Sequence, residues 1–404
     1  MGVYLDIQGV ERDRIFTPYE TVKGVARLEL NRSTVISNVT VCLEGLIRTS
    51  LIEKGPAFIL GNDVPKVADE SHQLFKTTKV LFPRPNSPFI ARGYTLSEGQ
   101  YTFHFEMKFP ISAKCSISQP QLRHRDTPLP PSFRAQAMES GARANVEYLL
   151  CVQVTRRTRL RRVISTAQSL NFIPFDPAPV LLSALRTGCH THQKGLYITS
   201  QSLLGCSMAA LPILLLEAKL PSPPLLYPRE RLLLRLCVRT LPMRIQHVLP
   251  IKLQSLALGL RHTTKITADV HRASWTSSQK LLDLHELDET IKCDRESDVL
   301  SEIKPDIIQR ILIPEAPPSF TACTVEHQHS LVVDAVFSLP GRVPFSSVKL
   351  IINVEILSGN NADARTQHVN AGEQTSLQVP LRDGCLVHLG ALDTVETDAE
   401  PPGY

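Results

Sequence analysis

Pro130-Pro131-Ser132-Phe133 returns, letter for letter, as Pro317-Pro318-Ser319-Phe320. Each copy follows an apolar run that ends in proline, Tyr101–Pro110 in the first case and Ile307–Pro314 in the second. Each precedes another strand-like run opening on Val-Glu, Val146-Glu147-Tyr148 and then Val325-Glu326-His327. Agreement in order and in flanks reads as one structural unit used twice.

Outward from the first copy the apolar period is two, the signature of half-buried strands. Tyr101, Phe103, Phe105, Met107 and Phe109 alternate with Thr102, His104, Glu106 and Lys108. Val146, Tyr148, Leu150, Val152 and Val154 alternate behind it, and Asn171–Pro179 reads as a last strand running into a linker. Upstream, Val22, Gly24, Ala26, Leu28 and Leu30 share one face, with Val39, Val41 and Leu43 in the next segment. The second copy has the same surroundings. Tyr227-Pro228-Arg229-Glu230 leads into Leu232, Leu234, Leu236 and Val238, and Ile251–Leu260 takes the place of Val39–Ile47. Leu331–Phe337 and Val348–Ile356 complete the set, and helical periodicity is credible only in short stretches such as Gln279–Leu287. The simplest architecture is all-β, two tandem antiparallel immunoglobulin-like β-sandwiches. Residues 1–178 are expected as the first, 179–209 as a linker, 210–357 as the second, and 358–404 as a flexible acidic tail.

Composition agrees. The chain has 404 residues with 30 prolines against 19 glycines, which suits short strands joined by loops. Net charge is +5, concentrated in residues 120–165, where nine arginines face only Asp126, Glu139 and Glu147. Nine cysteines, an odd number with no Cys-x-x-Cys, point to reduced thiols rather than a secreted disulfide framework. Met1–Asp6 lacks the charged start and apolar core of a signal peptide. Gly195–Leu216 carries no charge, but Thr199-Ser200-Gln201-Ser202 is too polar for a spanning helix, and two buried strands are the better reading.

Gly99-Gln100-Tyr101-Thr102-Phe103-His104-Phe105, followed by Leu129-Pro130-Pro131-Ser132-Phe133, resembles the signature of the arrestin N-terminal domain. Phe16-Thr17-Pro18-Tyr19-Glu20-Thr21-Val22-Lys23-Gly24 is similar to the first conserved strand of that family. Two residues depart from the pattern: Tyr19 stands where the family has glycine, and His104 where it has proline. The resemblance spans residues 1–357 and implies two sandwiches of about seven strands meeting at a shallow interface. Among arrestin-like proteins, the α-arrestins bring WW-domain HECT ubiquitin ligases to membrane transporters and receptors through Pro-Pro-x-Tyr motifs. Pro401-Pro402-Gly403-Tyr404 has that form. Consecutive prolines preset a polyproline II helix, so docking in an aromatic groove costs little entropy, and the tyrosine fills a second pocket. Pro223-Pro224-Leu225-Leu226-Tyr227 is not a second copy, since two residues separate its prolines from the tyrosine.

The resemblance therefore implies a cytoplasmic adaptor, recruited to plasma membrane or endosomes, for ubiquitin-dependent endocytosis and sorting. Its partners would be a WW-domain HECT ligase, held by Pro401, Pro402 and Tyr404, and the cytosolic tails of membrane proteins. The alternative is an arrestin-fold trafficking or signalling scaffold that uses no ligase. Arg156, Arg157, Arg159, Arg161 and Arg162 follow the strand-like run Val146–Val154 and form a candidate site for phosphate or an anionic membrane surface; the plainer reading is a solvated strand end. No aromatic residue interleaves these arginines, which speaks against nucleic acid. No organised nucleophile and base, phosphate loop or paired His-Glu motif appears, so neither catalysis nor a cofactor is expected. Cys189-His190-Thr191-His192 and His327-Gln328-His329 each offer two metal ligands without visible companions, and no metal is expected there. Cys151 and Cys237 sit inside strand patterns as inert thiols.

Overall fold

In the computed structural model, the described residues are 3–11, 13–53, 66–84, 93–115, 125–156, 163–176, 188–198, 211–240, 251–287, 289–291, 300–338 and 346–359. The first half contributes β1 (Val3–Gln8), β2 (Ile15–Phe16), β3 (Thr21–Leu30), β4 (Thr34–Glu53), β5 (Lys66–Phe82) and β6 (Tyr94–Leu96). These are followed by β7 (Gly99–Lys108), β8 (Ser112–Lys114), β9 (Arg125–Pro128), β10 (Phe133–Gln136), β11 (Arg143–Arg156) and β12 (Val163–Phe172). The second half opens with β13 (Gly188–Ile198), β14 (Leu211–Ser222), β15 (Leu225–Leu226), β16 (Arg235–Thr240), β17 (Ile251–Ala268) and β18 (His271–Leu284). After β19 (Glu289–Ile291) and β20 (Leu300–Glu302) come the short helix α1 (Pro305–Ile308), β21 (Phe320–Thr321), β22 (Val325–Ser338) and β23 (Ser346–Ile356). The expected all-β sandwich architecture holds. The described residues all fall within one compact unit.

The two halves repeat one topology. In the first, the order β2-β12-β11-β4-β5 forms the large sheet and β1-β3-β7 the small one. In the second, β15-β23-β22-β17-β18 and β13-β14-β16-β20 take those places. Each half has, near its start, a two-residue strand that runs parallel to its own last strand, β2 on β12 and β15 on β23. The strands form where apolar residues alternate, because only that period places one row of side chains in a core and the other outside. Thus Val146, Tyr148, Leu150, Val152 and Val154 on β11 are all buried, as are Leu331, Val333, Ala335 and Phe337 on β22.

Two structural details explain sequence choices. Tyr19 and Arg229 occupy equivalent corners ahead of β3 and β16, and both adopt left-handed backbone, φ 65° and 66°. That conformation is the reason a glycine suits Tyr19's position. Gly45 on β4 lies under the rings of Phe75 and Tyr148, where a Cβ would come within 2.9 Å of each.

Two expectations need correction. Gln279–Leu287 is not helical: residues through Leu284 belong to β18. Its pairing with β17 passes from Leu258↔Leu282 to Gly259↔Lys280, leaving Leu281 as an extra residue. This bulge breaks the period of two and brings leucines together in a spacing that mimics a helix. Residues 179–209, expected as a linker, include β13, an eleven-residue strand paired along β14. Its Cys-His-Thr-His opening carries no apolar alternation, since this edge strand is largely exposed. No helix among the described residues is long and apolar enough to cross a membrane. The possible edge strand Leu381–Leu389 lies outside the described residues.

Candidate functional site

The repeated Pro-Pro-Ser-Phe element closes each sandwich by the same hydrogen bonds. Ser132 N–H donates to the Phe172 carbonyl at 2.8 Å, and Phe172 N–H donates back to Ser132 Oγ at 2.9 Å. In the second copy, Ser319 N–H donates to the Ile356 carbonyl at 2.8 Å and Ile356 N–H to Ser319 Oγ at 2.9 Å. The serine thus pins the end of the last strand by satisfying two backbone groups with one residue. The phenylalanines shift the simple sequence correspondence by two residues. Phe133 pairs with Val146, but Phe320 pairs with His327, so Tyr148 corresponds to His329 rather than His327.

That correspondence sets two different cores against each other. In the first sandwich Tyr148 is fully buried and donates its hydroxyl to the Pro130 carbonyl at 2.5 Å. Phe75, Phe109 and Phe172 surround it at ring separations of 6.1, 5.7 and 4.7 Å. In the second, His329 takes that place, His327 lies two residues earlier on the same face, and His262 pairs directly across from His329. Ring centroids lie 4.7 Å apart for His327 and His329, and 4.9 Å for His262 and His329. His327 and His329 are buried. Burial pushes their pKa values down to about 4 and about 3, with the neighbouring histidines adding to the effect, so both rings are neutral at pH 7. Thr264 Oγ1 lies 3.0 Å from His327 Nδ1 and Ser319 Oγ 2.8 Å from His329 Nδ1. The two Nε2 atoms are buried without a hydrogen-bond partner.

The histidines sit where the two sandwiches join. Phe133 lies 5.1 Å from Phe320 and 4.6 Å from His327 by ring centroids. Ile266, Ala268 and Val325 of the second half belong to the core of the first. Thr49 Oγ1 donates to the Thr267 carbonyl at 2.7 Å, and Asp269 N–H donates to Glu70 Oε2 at 2.7 Å. A second cluster bridges the same junction: His72, Cys115 and Cys323 bring their ligand atoms within 4.8 Å of one another. His72 Nε2 contacts Glu70 Oε1 at 2.5 Å and Nδ1 contacts Cys115 Sγ at 3.4 Å. Burial, with Cys115 beside it, pushes the Cys323 thiol up to about 12.

Beside the junction an open groove of about 730 Å³ runs across β4, β5, β10 and β11. Arg48, Arg134 and Arg143 line it together with Asp69 and Glu70. Cross-strand register assembles the three arginines, Arg48 and Arg134 each facing Asn145, and Arg143 facing Ser50 and Gln136. Arg48 is also paired with Glu147 at 3.5 Å.

Of the residues singled out from sequence, Arg156 ends β11 at a register shift, with its Nε buried and without a hydrogen-bond partner. Arg157, Arg159, Arg161, Arg162, Pro401, Pro402 and Tyr404 lie outside the described residues. His190 and His192 stand 5.6 Å apart on β13. Among the described residues no third ligand joins them, whereas His327 and His329 gain His262 as a companion. Their own spacing, two residues apart on a strand, was the visible signal; the third member required a register across β17. Cys151 behaves as expected, its thiol pushed up to about 11 by burial and by Glu44.

Residues 2–170 match the family model of the arrestin (or S-antigen) N-terminal domain. That match supports an arrestin-family protein. No curated protein matches the chain.

Proposed function

Starting from an arrestin-type N-terminal domain, we propose that this protein is a non-enzymatic trafficking or signalling adaptor that recruits a WW-domain HECT ubiquitin ligase to membrane-protein cargo. The family match over residues 2–170 supports the adaptor class. The observation that carries the ligase is Pro401-Pro402-Gly403-Tyr404, which presents preset polyproline II geometry and an aromatic anchor. Cargo would meet the sandwiches. Arg48, Arg134 and Arg143 offer guanidinium forks for acidic or phosphorylated cytosolic tails, and Arg156–Arg162 adds a basic segment able to approach an anionic membrane surface.

The test is binding of the full chain to isolated WW domains. Wild type should bind and Tyr404→Ala should lose at least tenfold in affinity. A wild-type chain that binds no WW domain removes the ligase and leaves a scaffold without one. For cargo, charge reversal of Arg134 and Arg143 together should abolish capture of acidic tails while leaving WW binding unchanged.

A further inference from the structure

The duplicated architecture makes the histidine cluster conspicuous. At Tyr148 the first sandwich packs an aromatic core, which serves closure of the sheet without any polar group beyond one hydroxyl. At the same place the second sandwich sets three imidazoles on one face of β17 and β22. Packing alone asks only for apolar bulk there, and two ring nitrogens are instead buried with nothing to bond, a net cost to folding.

Hydrogen bonding to the other ring nitrogens orients these two. In the first sandwich Ser132 Oγ–H donates to the Leu170 carbonyl at 3.3 Å while accepting from Phe172 N–H. In the tautomer in which His329 Nδ1–H donates to Ser319 Oγ, which also accepts from Ile356 N–H, the His329 Nε2 lone pair is left for a ligand. Thr264 Oγ1 holds His327 Nδ1 in the corresponding way. A metal-bound histidine donates its second ring N–H to an oxygen acceptor, which fixes tautomer and ring orientation; here hydroxyl oxygens stand in that position.

We propose that His262, His327 and His329 form a site for a divalent transition-metal ion, zinc by its chemistry, at the junction of the two sandwiches. One nitrogen from each ring lies within 4.8 Å of the others, close enough for small side-chain rotations to bring all three to one ion. Neutral imidazoles suit zinc, copper and nickel, and a set without thiolate or carboxylate disfavours magnesium and calcium. An open groove lined by His327, His329, Ser319 and Asn353 reaches the cluster. Glu355 also lines that groove. The ion would satisfy the stranded nitrogens and tie β17 to β22 beside Phe133, where the first sandwich docks.

The experiment uses the full chain, stripped with a chelator and titrated with zinc against a chromophoric competitor, then with cobalt for its visible spectrum. His262→Ala, at a half-buried position, and His329→Phe, which restores the aromatic type of the first sandwich, should each lose one equivalent of zinc. Thr264→Val should keep the stoichiometry but weaken binding roughly 10- to 100-fold. Cys323→Ser should leave this equivalent intact, and its cobalt spectrum should lack sulfur charge-transfer bands. Wild type that takes up no zinc at micromolar concentration overturns the proposal. So does zinc binding that survives both histidine substitutions, or that disappears in Cys323→Ser, which would assign the ion to His72, Cys115 and Cys323 instead.

Discussion

Tyr19 shows how several small terms settle one position. Its left-handed backbone, φ 65°, costs a side-chain-bearing residue about 1–2 kcal/mol relative to glycine. Two terms offset that cost. The Lys108 ammonium lies 5.4 Å from the Tyr19 ring, an exposed cation–π contact of about 0.5–1 kcal/mol. Glycine would also add freedom to the unfolded chain, at about 0.4–1 kcal/mol. Tyr19→Gly is therefore expected to fall within about 0.5 kcal/mol of wild type in urea unfolding. Tyr19→Val loses the ring and adds a β-branch at positive φ, and should destabilise by about 1–2 kcal/mol. Equal stability of the Val and Gly variants would show that the backbone conformation costs no more than the roughly 0.4–1 kcal/mol that glycine loses through the unfolded chain.

Strands were legible where burial is one-sided and periodic, as on β3, β7, β11 and β22, because each places one row of side chains in a core. β13 and the end of β18 were not. One lacks an apolar row and the other carries a bulge at Leu281, so neither shows the period of two. The candidate site was half legible for the same reason. His327 and His329 declare themselves along one strand, while His262, Arg48 and Arg143 join their clusters only through cross-strand register, which a single sequence does not encode. β14 adds a case that patterning would not reveal. Glu217 is fully buried although it lies on the face opposite the core row Leu214, Leu216, Ala218 and Leu220, with Arg239 Nε at 2.7 Å, Gln193 Nε2 at 3.0 Å and Lys219 Nζ at 3.6 Å. Removing Arg239 leaves much of that charge uncompensated, so Arg239→Ala should cost about 3 kcal/mol, the low end for a broken buried pair because Lys219 persists. Glu217→Gln removes the charge itself and should cost less. Chemical denaturation of the two variants decides it, and the reverse ranking would mean that the carboxylate is solvated in solution.

For the molecule as a whole, the sandwiches share more than a boundary. Phe133 reaches into the second half, while Ile266, Ala268 and Val325 lie in the core of the first. Ser358, just past β23, donates its N–H to Asp176 Oδ1 at 2.7 Å and its hydroxyl to the Pro174 carbonyl at 3.1 Å. Coupling this extensive should give wild type one calorimetric transition. Phe133→Ala removes about 3–5 kcal/mol, divided between the first core and the junction, and should split that transition in two. Leu150→Ala, fully buried on β11, should lower stability by about 2–5 kcal/mol without splitting it. A single transition retained by Phe133→Ala would mean that the coupling does not run through Phe133.

The two-residue parallel bridges near the start of each half have a consequence for synthesis. β2 waits for β12, and β15 for β23, so neither half is sealed until its final strand has been made. By residue 172 the leading half holds all its own strands. The trailing half stays open until Ile356 can reach Leu226. A chain truncated by a stop codon within β22 would thus release one finished body joined to an unzipped one. Its bare strand edges would invite chaperones or self-association.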